Sequence, residues 1–197
     1  MTKSILNSRY FFWLLLAIPT IPMTLLLSGG MSPNLDVSIY EFLLHPTGEF
    51  AARFMIIAMM LTPLRMLLPK AKFWAWMIQR RRYLGVAAFL YALAHTVFYL
   101  ADQASLDAIF EEIGQLGIWT GWLAFFIFMP LAITSNDYSL KHMGRNWKRL
   151  QQFVYVAAVA TLLHWIFIHN EFGPALVHFI PLAVLEAYRI LKLKKAQ

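Results

Sequence analysis

The sequence predicts an all-α membrane protein, a polytopic six-helix transmembrane bundle with both termini cytoplasmic. Three observations carry that reading. The 197 residues are 60% hydrophobic and only 14% charged, with a mean hydropathy of +0.58, far from the balance of a soluble domain. Six apolar runs, at about 10–28, 50–68, 83–101, 113–134, 150–170 and 172–191, are each close to the roughly 20 residues that cross a bilayer as a helix. The charges between the runs alternate in sign from one loop to the next, which sets the orientation.

The first run follows a short basic segment, Met1–Arg9, and includes Phe11–Leu27. It is longer than the apolar part of a signal peptide, and no Ala-x-Ala pattern follows, so the expectation is an uncleaved first helix. Ser28–Gly48 reads as a loop containing EFLLHPTGEF, with room for a short helix at the surface. The second span, Phe50–Leu68, has Arg53 and Arg65 about one turn from its ends, where arginine reaches the interface. Pro69–Arg82 is a basic, aromatic connection with Trp74, Trp76 and three consecutive arginines. The third span is Tyr83–Ala101. An acidic loop, Asp102–Glu112, leads to the fourth, Ile113–Thr134, whose Gly114, Gly117 and Gly121 permit close helix approach. The fifth, Leu150–Asn170, is reached through the basic Ser135–Arg149, and the sixth, Phe172–Leu191, ends in Arg189, Lys192, Lys194 and Lys195.

With a cytoplasmic N-terminus, Arg53 is the one basic residue among the 17 Lys and Arg that falls on the outer side. The carboxylates fall outside, except Asp137 in an inner loop and Glu186 in the last helix, where Arg189 at i+3 supplies a local ion pair. Trp13, Trp74, Trp76 and Trp147 mark inner boundaries, and Trp119, Trp122 and Trp165 outer ones. The net charge of +7 and pI near 9.8 therefore describe a cytoplasmic membrane surface, with no nucleic-acid partner needed. Cys is absent, which excludes disulfides, thiolate ligands and iron–sulfur clusters.

Two histidines interrupt the apolar runs at matched depth. His95 lies roughly 18 Å along its helix from Arg80–Arg82, and His164 roughly 20 Å from Gln151 beside Arg145, Lys148 and Arg149, at about 1.5 Å per residue. Each alone reads equally as a hydrogen-bonded packing residue. Together they place two imidazoles at one level, in the half of the membrane away from the basic ends, as a six-coordinate haem iron requires. Ala88, Tyr91 and Ala92 flank His95, and Ala157, Ala160 and Thr161 flank His164, leaving room for a flat macrocycle or for small-residue helix packing. His45, His169 and His178 fall near the outer boundary, suited to hydrogen bonding, haem-propionate contact or proton handling. Arg53 is the candidate partner of a propionate, with Glu49 or lipid headgroups as the alternative. His142 is solvated. There is no nucleophile–base pair, no phosphate-binding glycine loop and no carboxylate pair within one span, so the chain reads as an electron conduit rather than a stand-alone enzyme.

In order along the chain, HPTGEFAARF with LTPL, RRYLGVAAFLYALAHTVFY, TGWLAFFIFMPLAITS and HMGRNWKRLQQFVYVAAVATLLHW resemble successive segments of the MsrQ (YedZ) family. These are haem-binding membrane subunits of the periplasmic methionine sulfoxide reductase system, within the ferric reductase-like transmembrane superfamily. The resemblance runs from about His45 to the end of the fifth helix. It implies b-type haem on His95 and His164 in a bacterial inner membrane. It also implies electrons arriving from a cytoplasmic flavin reductase or membrane quinol, with FMN as a further candidate cofactor, and leaving to a periplasmic molybdenum-containing reductase. One position departs from the family pattern: Gln151 stands where the family has a histidine associated with a second, inner haem, so one haem, or a second bound only weakly, is expected. Two alternatives stay open. One is a quinol-linked cytochrome b or ferric reductase-type domain with another acceptor, and the other is a non-redox membrane protein with structural histidines.

Overall fold

Polar caps start several of the helices. Ser8, Ser38, Ser105 and Asn136 each accept a hydrogen bond from a backbone N–H of the first turn that follows, satisfying donors that a helix start otherwise leaves unpaired. A computed structural model of the chain describes residues 8–31, 35–103, 105–169 and 172–195. Lys3 and Asn170, and the side chain of His169, lie outside what it describes.

The described residues form helices and no strands: α1 Arg9–Ala17, α2 Thr20–Leu27, α3 Ile39–Leu67, α4 Lys72–Ile78, α5 Arg81–Gln103, α6 Leu106–Glu112, α7 Leu116–Ile133, α8 Asp137–Met143, α9 Arg145–Gln151, α10 Val154–His169 and α11 Phe172–Lys194. Five spans are long and apolar enough to cross a membrane, and six if α1 and α2, bent by 54°, count as one. The protein is an all-helical, multi-pass membrane bundle. Large apolar side chains such as Leu14, Leu90, Val97, Phe126, Val159 and Val184 face outward, as a lipid solvent allows.

Three boundaries differ from the sequence expectation. The first helix is broken at Ile18–Pro19, because Pro19 has no N–H for the Leu15 carbonyl and the Ile18 N–H turns to that carbonyl instead. The second span begins at Ile39, so the expected loop around EFLLHPTGEF is the first third of the 29-residue α3. Pro46 lies inside this helix without ending it; its missing N–H is the one that would meet the Phe42 carbonyl, and beside it Thr47 returns its hydroxyl to the Leu43 and Leu44 carbonyls at 2.6 and 3.0 Å. The fifth span is preceded by α9, set off from α8 by Gly144 at φ +52°, a backbone angle that glycine adopts without steric cost.

α3 packs along α5, and α7 along α10, while α11 closes on α3. Small residues make the close contacts: Ala52, Ala88, Ala157 and Ala175 are buried in one cluster with Met55, Met59, Phe128 and Trp165. A second cluster joins Phe12 and Leu16 of α1 to Leu61, Leu84 and Ala87.

Candidate functional site

His95 on α5 and His164 on α10 meet between the two helix pairs. Their ring centres are 6.0 Å apart, with planes at 86°. His95 Nδ1 lies 2.9 Å from the Leu44 carbonyl, and His164 Nδ1 lies 2.7 Å from the Gly117 carbonyl. A carbonyl only accepts, so each Nδ1 carries a proton, and in a neutral ring the lone pair is then on Nε2. That tautomer is the one that metal-bound histidines adopt with a backbone partner. The donor set therefore fits a haem iron.

A cavity of about 400 Å³ surrounds the pair, walled by Leu44, Gly48, Ala92, Gly121, Phe125 and Thr161, with Trp122 and Trp165. Its mouth is acidic, with Glu41, Glu49, Asp102 and Glu112. The Tyr99 hydroxyl and the Gln103 amide donate to Glu112 Oε2 at 3.2 and 3.1 Å. Ala92 and Thr161 line this space as the sequence suggested, but Tyr91 does not. Its hydroxyl donates to the Leu16 carbonyl at 3.0 Å and its ring packs on Phe50 and Phe54, so it braces α5 against α1. Ala157 and Ala160 are buried in helix packing. Of the three glycines of the fourth span, Gly117 and Gly121 sit against Ile168 and His164, whereas Gly114, in the turn before α7, has open space beside it.

The other histidines and Arg53 occupy distinct surroundings. His45 lines the acidic mouth, 3.9 Å from Glu49. Arg53 lies one layer away, paired with Glu49 at 2.7 Å, and is not among the residues lining the cavity. Its Nε donates to His178 Nε2 at 3.2 Å. His178 Nδ1 in turn donates to the Pro174 carbonyl at 2.7 Å, and its ring packs on Trp165. His142 is exposed and bonds the Tyr138 carbonyl. Glu186 and Arg189 form the expected local pair at 2.8 Å.

A second cavity, of about 600 Å³, lies at the basic end of the bundle. Arg81, Arg82, Arg145, Lys148 and Arg189 line it, together with Trp147, Tyr155 and Gln151. Phe128 borders both cavities. Gln151 is spent on structure: its amide donates to the Leu131 carbonyl at 3.0 Å and to Thr134 Oγ1 at 3.2 Å. Nearby, Arg82 pairs with Asp137 at 2.5 Å and, by hydrogen bonding and then by charge, holds that carboxyl below its ordinary range. The basic loops were visible in the sequence, but not that residues from two of them and from five spans enclose one space.

Comparison with known proteins bears on these cavities. A model of the family described as ferric reductase like transmembrane component matches residues 47–162. The chain is 34% identical over 167 residues to the protein-methionine-sulfoxide reductase heme-binding subunit MsrQ of Brucella anthropi, covering 83% of this chain and 74% of that protein. It is 36% identical over 152 residues to the protein so named in Xanthomonas euvesicatoria pv. vesicatoria, covering 75% and 68%. It is 32% identical over 161 residues to that of Brucella ovis, covering 80% and 71%. No solved structure matches the chain.

Proposed function

The chain belongs to the MsrQ family within the ferric reductase-like transmembrane components, a membrane redox subunit of haem-binding kind, and on that premise we propose that it carries electrons across the bacterial inner membrane to a periplasmic, molybdenum-dependent methionine sulfoxide reductase. The observation that carries the reading is the facing pair His95 and His164, each held in the tautomer that offers Nε2. These two side chains would be the axial ligands of one b-type haem, which when bound supplies one-electron chemistry.

The rest of the chain positions that chemistry. Apolar walls keep water from the imidazoles and lower the local dielectric, while the acidic mouth faces the periplasm, where the acceptor docks. His45 at the mouth, and Arg53 on exchanging Glu49 for a haem carboxylate, would hold the charged edge of the macrocycle. The donor side is the basic cavity. Its cationic and aromatic lining suits an anionic planar cofactor such as FMN, reduced by a cytoplasmic flavin reductase, or the head of a membrane quinol. Phe128, common to both walls, shortens a gap that would otherwise be about 20 Å of helix between Gln151 and His164. With Gln151 committed to Leu131 and Thr134, that side offers no histidine among its lining residues, in keeping with a single haem.

The test is the reduced-minus-oxidised absorption spectrum of the purified, haem-replete protein, with pyridine-haemochrome stoichiometry, for wild type, His95→Ala and His164→Ala. A low-spin b-type spectrum near one haem per chain, lost or converted to high spin by either substitution, is the expected result. A spectrum unchanged by both substitutions would overturn the assignment.

A further inference from the structure

The two histidines are held by the same device built twice. On α3, the Leu44 carbonyl accepts from His95 Nδ1. Three residues on, Thr47 is fully buried and donates its hydroxyl to the Leu43 and Leu44 carbonyls. The next residue is Gly48, where an added Cβ would lie 3.1 Å from His95 Nδ1. On α7, the Gly117 carbonyl accepts from His164 Nδ1. Three residues on, Thr120 is buried and donates to the Leu116 and Gly117 carbonyls at 2.7 and 2.9 Å. The next residue is Gly121, where a Cβ would lie 2.6 Å from His164 Nδ1. Each carbonyl and its histidine are separated by similar lengths of chain, 51 and 47 residues.

We propose that these two segments, each a carbonyl with Thr at +3 and Gly at +4, are twin cradles that orient the axial imidazoles and set the electron density they deliver to iron. The proposal rests on the reading of His95 and His164 as haem ligands. The glycine lets the ring lie against the backbone of the neighbouring helix, where Nδ1 reaches that helix's main-chain carbonyl. A side chain there would push the ring off its hydrogen bond. The threonine shares its one O–H between that oxygen and the preceding carbonyl, the closer of the two, and a carbonyl that accepts even part of an O–H is a weaker acceptor for N–H. The hydroxyl therefore limits how far Nδ1–H is drawn toward oxygen, and so how electron-rich Nε2 becomes. Thr47, Thr120, Gly48 and Gly121 are thus positioning residues, acting on the iron through the histidines. With one cradle on α3 and the other on α7, the ring planes stand near perpendicular, at 86°.

The full-length, haem-loaded protein in detergent tests this by ferric low-spin EPR and by redox titration, with monodispersity and helix content confirming the fold of each variant. Wild type is expected to give the highly anisotropic low-spin signal of near-perpendicular imidazoles. Gly121→Ala should alter or abolish that signal more than Gly48→Ala, following the closer approach at Gly121. Thr47→Val and Thr120→Val should each lower the midpoint potential, because the freed carbonyl draws more on Nδ1–H, while Thr47→Ser and Thr120→Ser restore it. If folded glycine variants keep the wild-type signal and the valine variants keep its potential, the cradle proposal fails while the axial assignment stands. If His95→Ala and His164→Ala themselves retain the low-spin spectrum, the axial assignment fails and the cradles fall with it.

Discussion

Gln151 stands at a position where the resembled family pattern has a histidine, and its surroundings explain what the glutamine does instead. Its amide ties the end of α9 to the Leu131 carbonyl of α7 and to the hydroxyl of Thr134, the residue that caps it, two bonds that a truncation would remove, although Ser135 still donates to Leu131 and Thr134 to Pro130. Gln151→Ala is therefore expected to cost about 1–2 kcal/mol of stability, with haem per chain unchanged. Thermal unfolding in detergent and haemochrome stoichiometry read the two effects separately. Loss of haem without loss of stability would mean that Gln151 serves the cofactor directly. At this scale the sequence disclosed the two histidines that meet and hid their supports. His95 and His164 were legible because an imidazole in an apolar run is chemically conspicuous. Their partners were not, because Leu44 and Gly117 contribute backbone oxygens, which leave no side-chain signature. Arg53 was legible as a lone outer cation, but its partner His178 lies 125 residues away, and nothing in the spacing pairs them.

At the scale of the helix, proline and glycine had to be read by context. Pro19 breaks the first helix, whereas Pro46 sits inside α3 without ending it. A proline signal alone does not separate these outcomes, which is why α3 looked like a loop followed by a shorter span. Glycines divide in the same way. A Cβ at Gly117 would meet Ile168 Cδ1 at 2.9 Å, Cγ1 at 3.2 Å and its backbone N at 3.4 Å, whereas one at Gly85, inside α5, meets nothing within 4 Å. The tip of Ile168 can yield, but the backbone of α10 cannot. Gly117→Ala should therefore destabilise the α7–α10 contact by about 1–3 kcal/mol, as overpacking does. Gly85→Ala should stabilise by about 0.5–1 kcal/mol, since alanine costs less than glycine in a helix interior. Opposite shifts in detergent melting temperature are the expected result. Equal shifts would show that helix propensity, and not the Gly117 contact, governs both sites.

Over the whole molecule, two cavities share one wall, with an acidic mouth at one end and a cationic chamber at the other. This polarity was legible in the sequence as alternating loop charge, because inserted membrane proteins retain lysine and arginine on the cytoplasmic side. The enclosure of each cavity was not legible, since it depends on which helices pair. The direction of electron flow depends on the orientation, so the orientation is the prediction with the widest reach. The chain contains no cysteine, which makes single introduced thiols clean reporters. Asp107 and Glu111 lie on α6, next to the acidic mouth, and Lys141 lies on α8, next to the basic chamber. In intact spheroplasts, Asp107→Cys and Glu111→Cys should react with a membrane-impermeant maleimide. Lys141→Cys should react only after permeabilisation. The reverse pattern would place the cationic chamber in the periplasm and exclude a cytoplasmic reductant from it. Labelling of all three thiols in intact spheroplasts would mean that α7 does not span the bilayer, and the two cavities could not then serve opposite faces of one membrane.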